Sequence, residues 1–239
     1  MRNIDSVDSV FHKFQEKGTT MATYQQLIST IALTMGTAWA CGINLYATIA
    51  TLGILGITGN IILPEQLHIL QEPLVIGAAC LMYFVEFFVD KTPGVDSGWD
   101  VIHTFIRIPA GVMLAAGAVG NVDPAVAIAA GILGGTVTAT SHTLKAGSRV
   151  LINTSPEPFS NWIASIAEDI AVFIGMYTAL HHPLVFLCFF ILFILFCIWF
   201  LPKLWTGITK LFSTLKGFFQ GEKTPGEPDK KPPPEILAQ

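Results

Sequence analysis

Residues 86–100 read EFFVDKTPGVDSGWD, and residues 149–163, RVLINTSPEPFSNWI, repeat them in outline. Setting Pro93 on Pro156 brings Ser97 onto Ser160 and Trp99 onto Trp162 without a gap, so a PxxxSxW core occurs twice. Each copy lies between two long apolar runs and reads as a polar connection between two membrane helices. Just ahead of the core the copies differ in character: Glu86 aligns with Arg149 and Asp90 with Asn153. A duplicated polar motif inside a very apolar chain marks where the chemistry is expected.

The chain is 52% hydrophobic and 13% charged, whereas charged residues make up about a quarter of an ordinary soluble domain. Runs of about 20 apolar residues are long enough to cross a hydrocarbon core, and six are counted. The expected class is therefore an all-α, polytopic integral membrane protein of about six transmembrane helices, with a duplicated helical hairpin and a broken first helix. A net charge of −4 with scattered Lys and Arg gives no nucleic-acid footprint. Cys41, Cys80, Cys188 and Cys197 sit within apolar runs without metal-ligand spacing, so they read as buried thiols, with no metal and no cofactor implied.

Residues 1–24 mix charges of both signs and hold no apolar signal region, so the first span is expected to stay as an anchor, with Met21 an alternative start. Residues 26–57 would extend about 48 Å as one helix, well beyond the hydrocarbon thickness. A break is expected between Gly36 and Asn44. Either Asn44 lines a site there, or Gly36, Ala38, Ala40 and Gly42 make a close helix contact. The remaining spans are read at 73–89, 99–119, 125–152, 162–180 and 184–201, the last the most lipid-exposed. The two motif hairpins cover about 73–120 and 125–181, and Gly131 and Gly135 form a GxxxG contact pattern. After Pro202, residues 203–220 read as an amphipathic helix on the membrane surface, and the Pro-rich residues 221–239 as a disordered tail. Pro93 and Pro156 are read as helix stops, Trp99 and Trp162 as interfacial anchors. Basic residues gather at the motif loops, which puts those loops and both termini in the cytoplasm.

Ionisable and polar groups recur at one-turn spacing beside both loops: Glu86 and Asp90; Asp96 in the loop; Asp100, His103 and Arg107; His142, Lys145 and Arg149; Asn161, Ser165, Glu168 and Asp169. A charge deep in a bilayer costs at least about 2.5–3.5 kcal/mol, so these groups must face one another or water. One reading is an ion-pair network that docks the hairpins; the other is a wet, cytoplasm-facing cavity that binds or relays something. Arg107 and Arg149 suit a carboxylate, phosphate or headgroup, or else pair with Glu86 or Glu168. Glu86 is the carboxylate best suited to gain and lose a proton, because burial favours its neutral form and a nearby arginine its charged one. His103 and His142 are candidates for proton relay, and Asp90, Asp96 and Asp100 for a hard cation, though no ion-loop spacing is matched.

At GTAWACGINLY, FVDKTPGVDSGWD and HTLKAGSRVLINTSPEPFSNW the chain resembles a bacterial multipass membrane family catalogued as domain of unknown function 4126, over roughly residues 27–200. The resemblance implies an integral protein of a bacterial inner membrane and no particular substrate. The expected function is a small, proton-coupled transporter or permease whose partners are membrane lipids and a small solute, ion or lipid headgroup; assembly as a homo-oligomer is compatible with it. The alternatives are a non-catalytic scaffold and, with less support, a metal-dependent enzyme acting on lipid phosphates. No enzyme signature is present in the sequence.

Overall fold

In the computed structural model, which describes residues 4–154 and 158–220, the chain is all-helical: α1 (Ile4–Ile43), α2 (Leu45–Ile57), a 3₁₀ helix (Glu65–Gln71), α3 (Pro73–Val89), α4 (Val95–Ala118), α5 (Pro124–Ile152), α6 (Pro158–His181) and α7 (Pro183–Gln220). Proline opens α3, α5, α6 and α7, where its missing N–H has no helical partner to lose. Five helices are long and apolar enough to cross a membrane, or six when the 3₁₀ helix and α3, bent by 66°, form one span. Pro156 and the tail beyond residue 220 lie outside the described residues.

The first long run breaks where glycine and asparagine interrupt it. Helix α1 stops at Ile43, and Asn44, in extended backbone, caps α2 by accepting the Ala47 N–H at 2.9 Å. The small-residue contact is present as well. A Cβ on Gly36 would meet Ala179, and one on Gly42 would meet Ser141 and the Thr138 carbonyl, so α1 lies close against α6 and α5. Both sequence readings of residues 36–44 therefore describe the same segment.

The second half of the break runs backwards. Ala32 and Gly36 of α1 lie beside Ala179, near the end of α6, whereas Gly42 reaches mid-helix residues of α5. Helix α2 then returns: Gly53 abuts Leu70 and Ile76, and Gly56 abuts Gln71, at the start of α3. Its side chains Leu45 and Leu52 join Leu67, Leu70, Leu114 and Met176 in the main apolar core. So α1 and α2 form a hairpin that dips to mid-depth and comes back. This corrects the expectation that both termini lie on one side, because the start of the hairpin and the end of α7 fall at opposite ends of the bundle. We predict that single cysteines at Thr20 and Lys216, in a background with the native thiols removed, are labelled by an impermeant maleimide from opposite sides of a vesicle. Labelling of both from one side would contradict the hairpin.

Three boundaries fall at the spacing of the sequence motif. α3 ends at Val89 and α5 at Ile152, α4 starts at Val95 and α6 at Pro158, and α4 ends at Ala118 and α6 at His181. The C-terminal caps match too: the Asp90 N–H bonds the Glu86 and Phe88 carbonyls, the Asn153 N–H those of Arg149 and Leu151. Gly131 and Gly135 both receive Val112 of α4, as their spacing anticipates.

Pro202 does not end a helix. α7 runs through it from Pro183 to Gln220, so a separate helix over 203–220 is not formed. Proline costs one backbone bond, which a long lipid-exposed helix tolerates by local adjustment. Only 11% of the most apolar stretch of α7 is buried, in line with its reading as the most lipid-exposed span. Past Pro202 it packs Leu204 against Gly147 of α5.

Candidate functional site

The sequence predicts charged groups on facing helices, and the fold gathers them around the tip of the α1–α2 hairpin. Arg107, about 18 Å along α4, is completely buried. Its Nη2 donates to Glu86 Oε1, and its Nη1 faces Asp100 Oδ1 at 3.4 Å, His142 Nδ1 at 3.1 Å and the Gly42 carbonyl at 3.4 Å. Lys145 of α5 donates to the Ile43 carbonyl at 3.1 Å, to Glu86 Oε1 at 3.2 Å and to Asp90 Oδ2 at 2.7 Å, and stands 3.8 Å from Glu168 Oε2. Both cations thus sit on the last carbonyls of α1, which have no helical partner and carry the negative end of its dipole.

Arg149 closes the network from the motif end. It donates to Glu168 Oε2 at 2.6 Å, to the Asp90 and Asn161 carbonyls at 3.0 Å each, and to Asn161 Oδ1. Glu86 and Arg149, which occupy matching places in the two motifs, do not pair: Glu86 pairs with Arg107 and Lys145, Arg149 with Glu168. Charge swapping between positions 86 and 149 therefore tests no contact.

The histidines have separate jobs. An arginine only donates, so His142 Nδ1 must accept, and its Nε2–H then serves the Asp100 carbonyl at 3.1 Å and Thr104 Oγ1 at 2.7 Å. His142 is thereby fixed neutral. His103 donates from Nδ1 to the Trp99 carbonyl at 3.0 Å and faces the Tyr46 hydroxyl through Nε2 at 3.0 Å, so it can accept a further proton when that hydroxyl turns. Trp99 stacks on His103 with ring centroids 4.2 Å apart, whereas Trp162 is half exposed; only Trp162 presents itself as an anchor would.

Asp96 is not a free ligand. Its Oδ1 accepts from Gly94 N at 2.9 Å, Ser97 N at 2.6 Å and Asn153 Nδ2 at 2.8 Å, and its Oδ2 from Asn161 Nδ2 at 3.1 Å. Gly94, at φ 85°, makes the turn that aims its N–H there. Asp96 therefore ties the first motif loop to the end of α5 and the start of α6. Asp90 faces Lys145 and Asp100 faces Arg107, so the three aspartates do not converge, and among the described residues no trio of His, Cys, Asp or Glu is disposed to hold a metal ion. We predict that Asp96→Asn, which keeps the shape but loses the charge-assisted bonds, lowers stability by about 1.5–3 kcal/mol in detergent unfolding curves while leaving the cluster's other pairs in place.

Asp169 differs from Glu86, Asp90, Asp100 and Glu168 in facing no Lys or Arg among the described residues, and from Asp96, whose two oxygens are both held by N–H donors, in having one oxygen unbonded. It is 8% exposed, Asn44 donates to its Oδ1 at 3.1 Å, and Tyr83 lies beside it. No Lys or Arg among the described residues forms an ion pair with it. Its Oδ2 is buried without a hydrogen-bond partner, as are Glu86 Oε2, Asp90 Oδ1 and Asp100 Oδ2.

Residues that the sequence reading missed are those that arrive from the hairpin tip or from the turns. The Gly42 and Ile43 carbonyls, Tyr46 and Asn153 belong to this group. So does Lys91, which lies over the Phe87 ring at 3.0 Å and donates to the Phe87 carbonyl and Ser165 Oγ; burial pushes its ammonium below the usual lysine range.

Residues 31–203 match the family model described as Domain of unknown function (DUF4126), well over half of the chain. No curated protein and no solved structure matches it.

Proposed function

We propose that this chain, which belongs to the DUF4126 family by that match, is a small membrane transporter whose buried cluster takes up and releases a proton at Asp169 as the α1–α2 hairpin shifts. The observation that carries the reading is a carboxylate at mid-depth with no cation paired to it. A buried unpaired charge is far costlier than a neutral acid. The wider balance points the same way: Glu86, Asp90, Asp96, Asp100, Glu168 and Asp169 outnumber Lys91, Arg107, Lys145 and Arg149. His103 is the one cluster histidine placed to offset part of that surplus.

Asp169 and the hairpin tip share Asn44. Its amide N–H₂ holds Asp169, and its oxygen caps α2. Adding or removing a proton at Asp169 changes what Asn44 can bond, and so bears on the cap that fixes the reversal of the chain. An oxyanion as the bound species is less well served, because the guanidinium groups of Arg107 and Arg149 are fully buried and already hold carboxylates and carbonyls. The motif loops and the end of α7 carry Lys91, Lys203, Lys210 and Lys216, against Lys13 and Lys17 just ahead of the hairpin and no Lys or Arg in residues 58–72; by the positive-inside rule the excess favours the motif end as the cytoplasmic one.

The test is dissipation of an imposed pH gradient by vesicles holding the purified protein and a pH-sensitive dye. Wild type is expected to exceed empty vesicles, and Asp169→Asn to fall back by about tenfold or more, within the range for loss of a proton-transfer group. Wild type indistinguishable from empty vesicles would leave the scaffold reading, which the ion pairs of Arg107 with Glu86 and of Arg149 with Glu168 favour.

A further inference from the structure

We infer that the groove between α5, α6 and α7 binds a lipophilic organic cation, with Glu168 as its counter-ion. The inference deepens the transporter reading by naming a substrate class. The groove encloses about 400 Å³ beside Lys145 and Glu168, walled by Phe193, Phe196 and Phe200. It shares Ala171 and Phe193 with a second cavity of about 270 Å³ that runs on towards Trp39 and Phe186. Each is close to the size of a small-molecule site.

Sign is the informative property. Glu168 is the partly exposed member of the ion-pair network, at 19% of its side chain, while the Lys145 and Arg149 side chains are 2% and 0% exposed. Lys145 also lines the groove, but its ammonium is turned to the Ile43 carbonyl, Glu86 and Asp90, so the charge the groove meets most openly is the Glu168 carboxylate. Ser141 and Ser148 complete the polar edge, and both have already given their hydroxyl protons to backbone carbonyls: Ser141 to Val137 or Thr138, Ser148 to Lys145. They offer lone pairs to the groove. A phosphate or carboxylate would find acceptors where it needs donors, whereas an ammonium or phosphonium would find acceptors and aromatic faces.

Depth separates this site from ordinary headgroup contact. Glu168 lies about 15 Å along α6 from Pro158, below the level at which a phospholipid headgroup rests. The far wall is a run of stacked rings, Phe190 with Phe193 and Phe196 with Phe200. An apolar body carrying a delocalised positive charge matches that wall from within the bilayer.

The test is equilibrium binding of radiolabelled tetraphenylphosphonium to the purified protein in detergent, with tetraphenylborate, its near-isosteric anion, as competitor. Saturable binding is expected, weakened about tenfold or more by Glu168→Gln and about threefold or more by Phe196→Ala, and not displaced by the borate. Phe196 stands outside the ion pairs, so its variant reports on the groove even where loss of Glu168 disturbs folding. Equal affinity in wild type and both variants, or displacement by the borate, would overturn the assignment. Proton flux without phosphonium binding sinks this inference alone; phosphonium binding without proton flux sinks the proton reading and leaves the site standing.

Discussion

Arg107→Ala is expected to destabilise the protein by about 3–5 kcal/mol, the cost of leaving buried charges without their partner. The side chain is fully buried and serves Glu86, Asp100, His142 and the Gly42 carbonyl at once. Its removal leaves Glu86 to Lys145 alone, takes from Asp100 its ion-pair partner, and frees His142 Nδ1 from the bond that fixes its tautomer. Much of the penalty is the stranded carboxylate rather than the lost attraction. The double variant Arg107→Ala with Glu86→Gln is therefore expected to recover part of it. Unfolding midpoints in detergent for the two single variants and the double variant measure that coupling. An Arg107→Ala protein within about 0.5 kcal/mol of wild type, the range of an ordinary surface change, would show that water or rearrangement already screens the cluster.

The second large effect falls on a glycine. A Cβ at Gly42 would stand 1.9 Å from Ser141 Oγ and 2.4 Å from the Thr138 carbonyl oxygen. Ser141 can turn away, but the Thr138 carbonyl is backbone inside α5. Gly42→Ala must push α1 off α5, drawing the Gly42 and Ile43 carbonyls away from Arg107 and Lys145. Overpacking alone costs about 1–3 kcal/mol, and disturbance of the network adds to it. The same substitution at Gly77, where a Cβ meets nothing within 4 Å, is expected to be neutral or stabilising by up to about 1 kcal/mol. Similar unfolding midpoints for the Gly42→Ala and Gly77→Ala variants would mean that the α1 tip is not held where the network requires it.

How far these features are visible in the sequence depends on whether their causes are local. The break after Ile43 follows from length and from the glycine and asparagine content of one segment, so it can be read directly. The reversal of α2 cannot, because it is decided by Gly53 against the Leu70 carbonyl and by core leucines and Met176 from four separate elements. Likewise, one-turn spacing puts Glu86 and Asp90 on one face of α3, yet their partners come from α4 and α5. Helix order in the bundle decides that pairing. The aligned positions 86 and 149 invite a mutual ion pair, and the fold gives each a different partner. Asp96 reads as a possible cation ligand until the turn at Gly94 and the amides of Asn153 and Asn161 are seen to use both its oxygens.

Pro202 and Asp169 are instructive in opposite ways. Proline removes one backbone bond from any helix interior, yet α7 continues through Pro202, as membrane helices do when local adjustment re-satisfies the freed carbonyl. Asp169 is recognisable in the sequence as an intramembrane acid, but its lack of a cation partner depends on which helices surround it. Glu86 draws attention on sequence grounds as the proton-exchanging group, and in the structure it is held by two cations. The proposed proton exchange is placed on Asp169 instead because its side-chain partner is the neutral Asn44.

Whether the cluster holds a proton is most directly read by infrared spectroscopy of the purified protein at neutral pH, comparing wild type with Asp169→Asn in H₂O and D₂O. The account predicts a protonated carboxylic-acid C=O band in wild type, shifted in D₂O and absent from the Asp169→Asn variant. Carboxylate bands alone in wild type, or a protonated band that survives in Asp169→Asn, would contradict it.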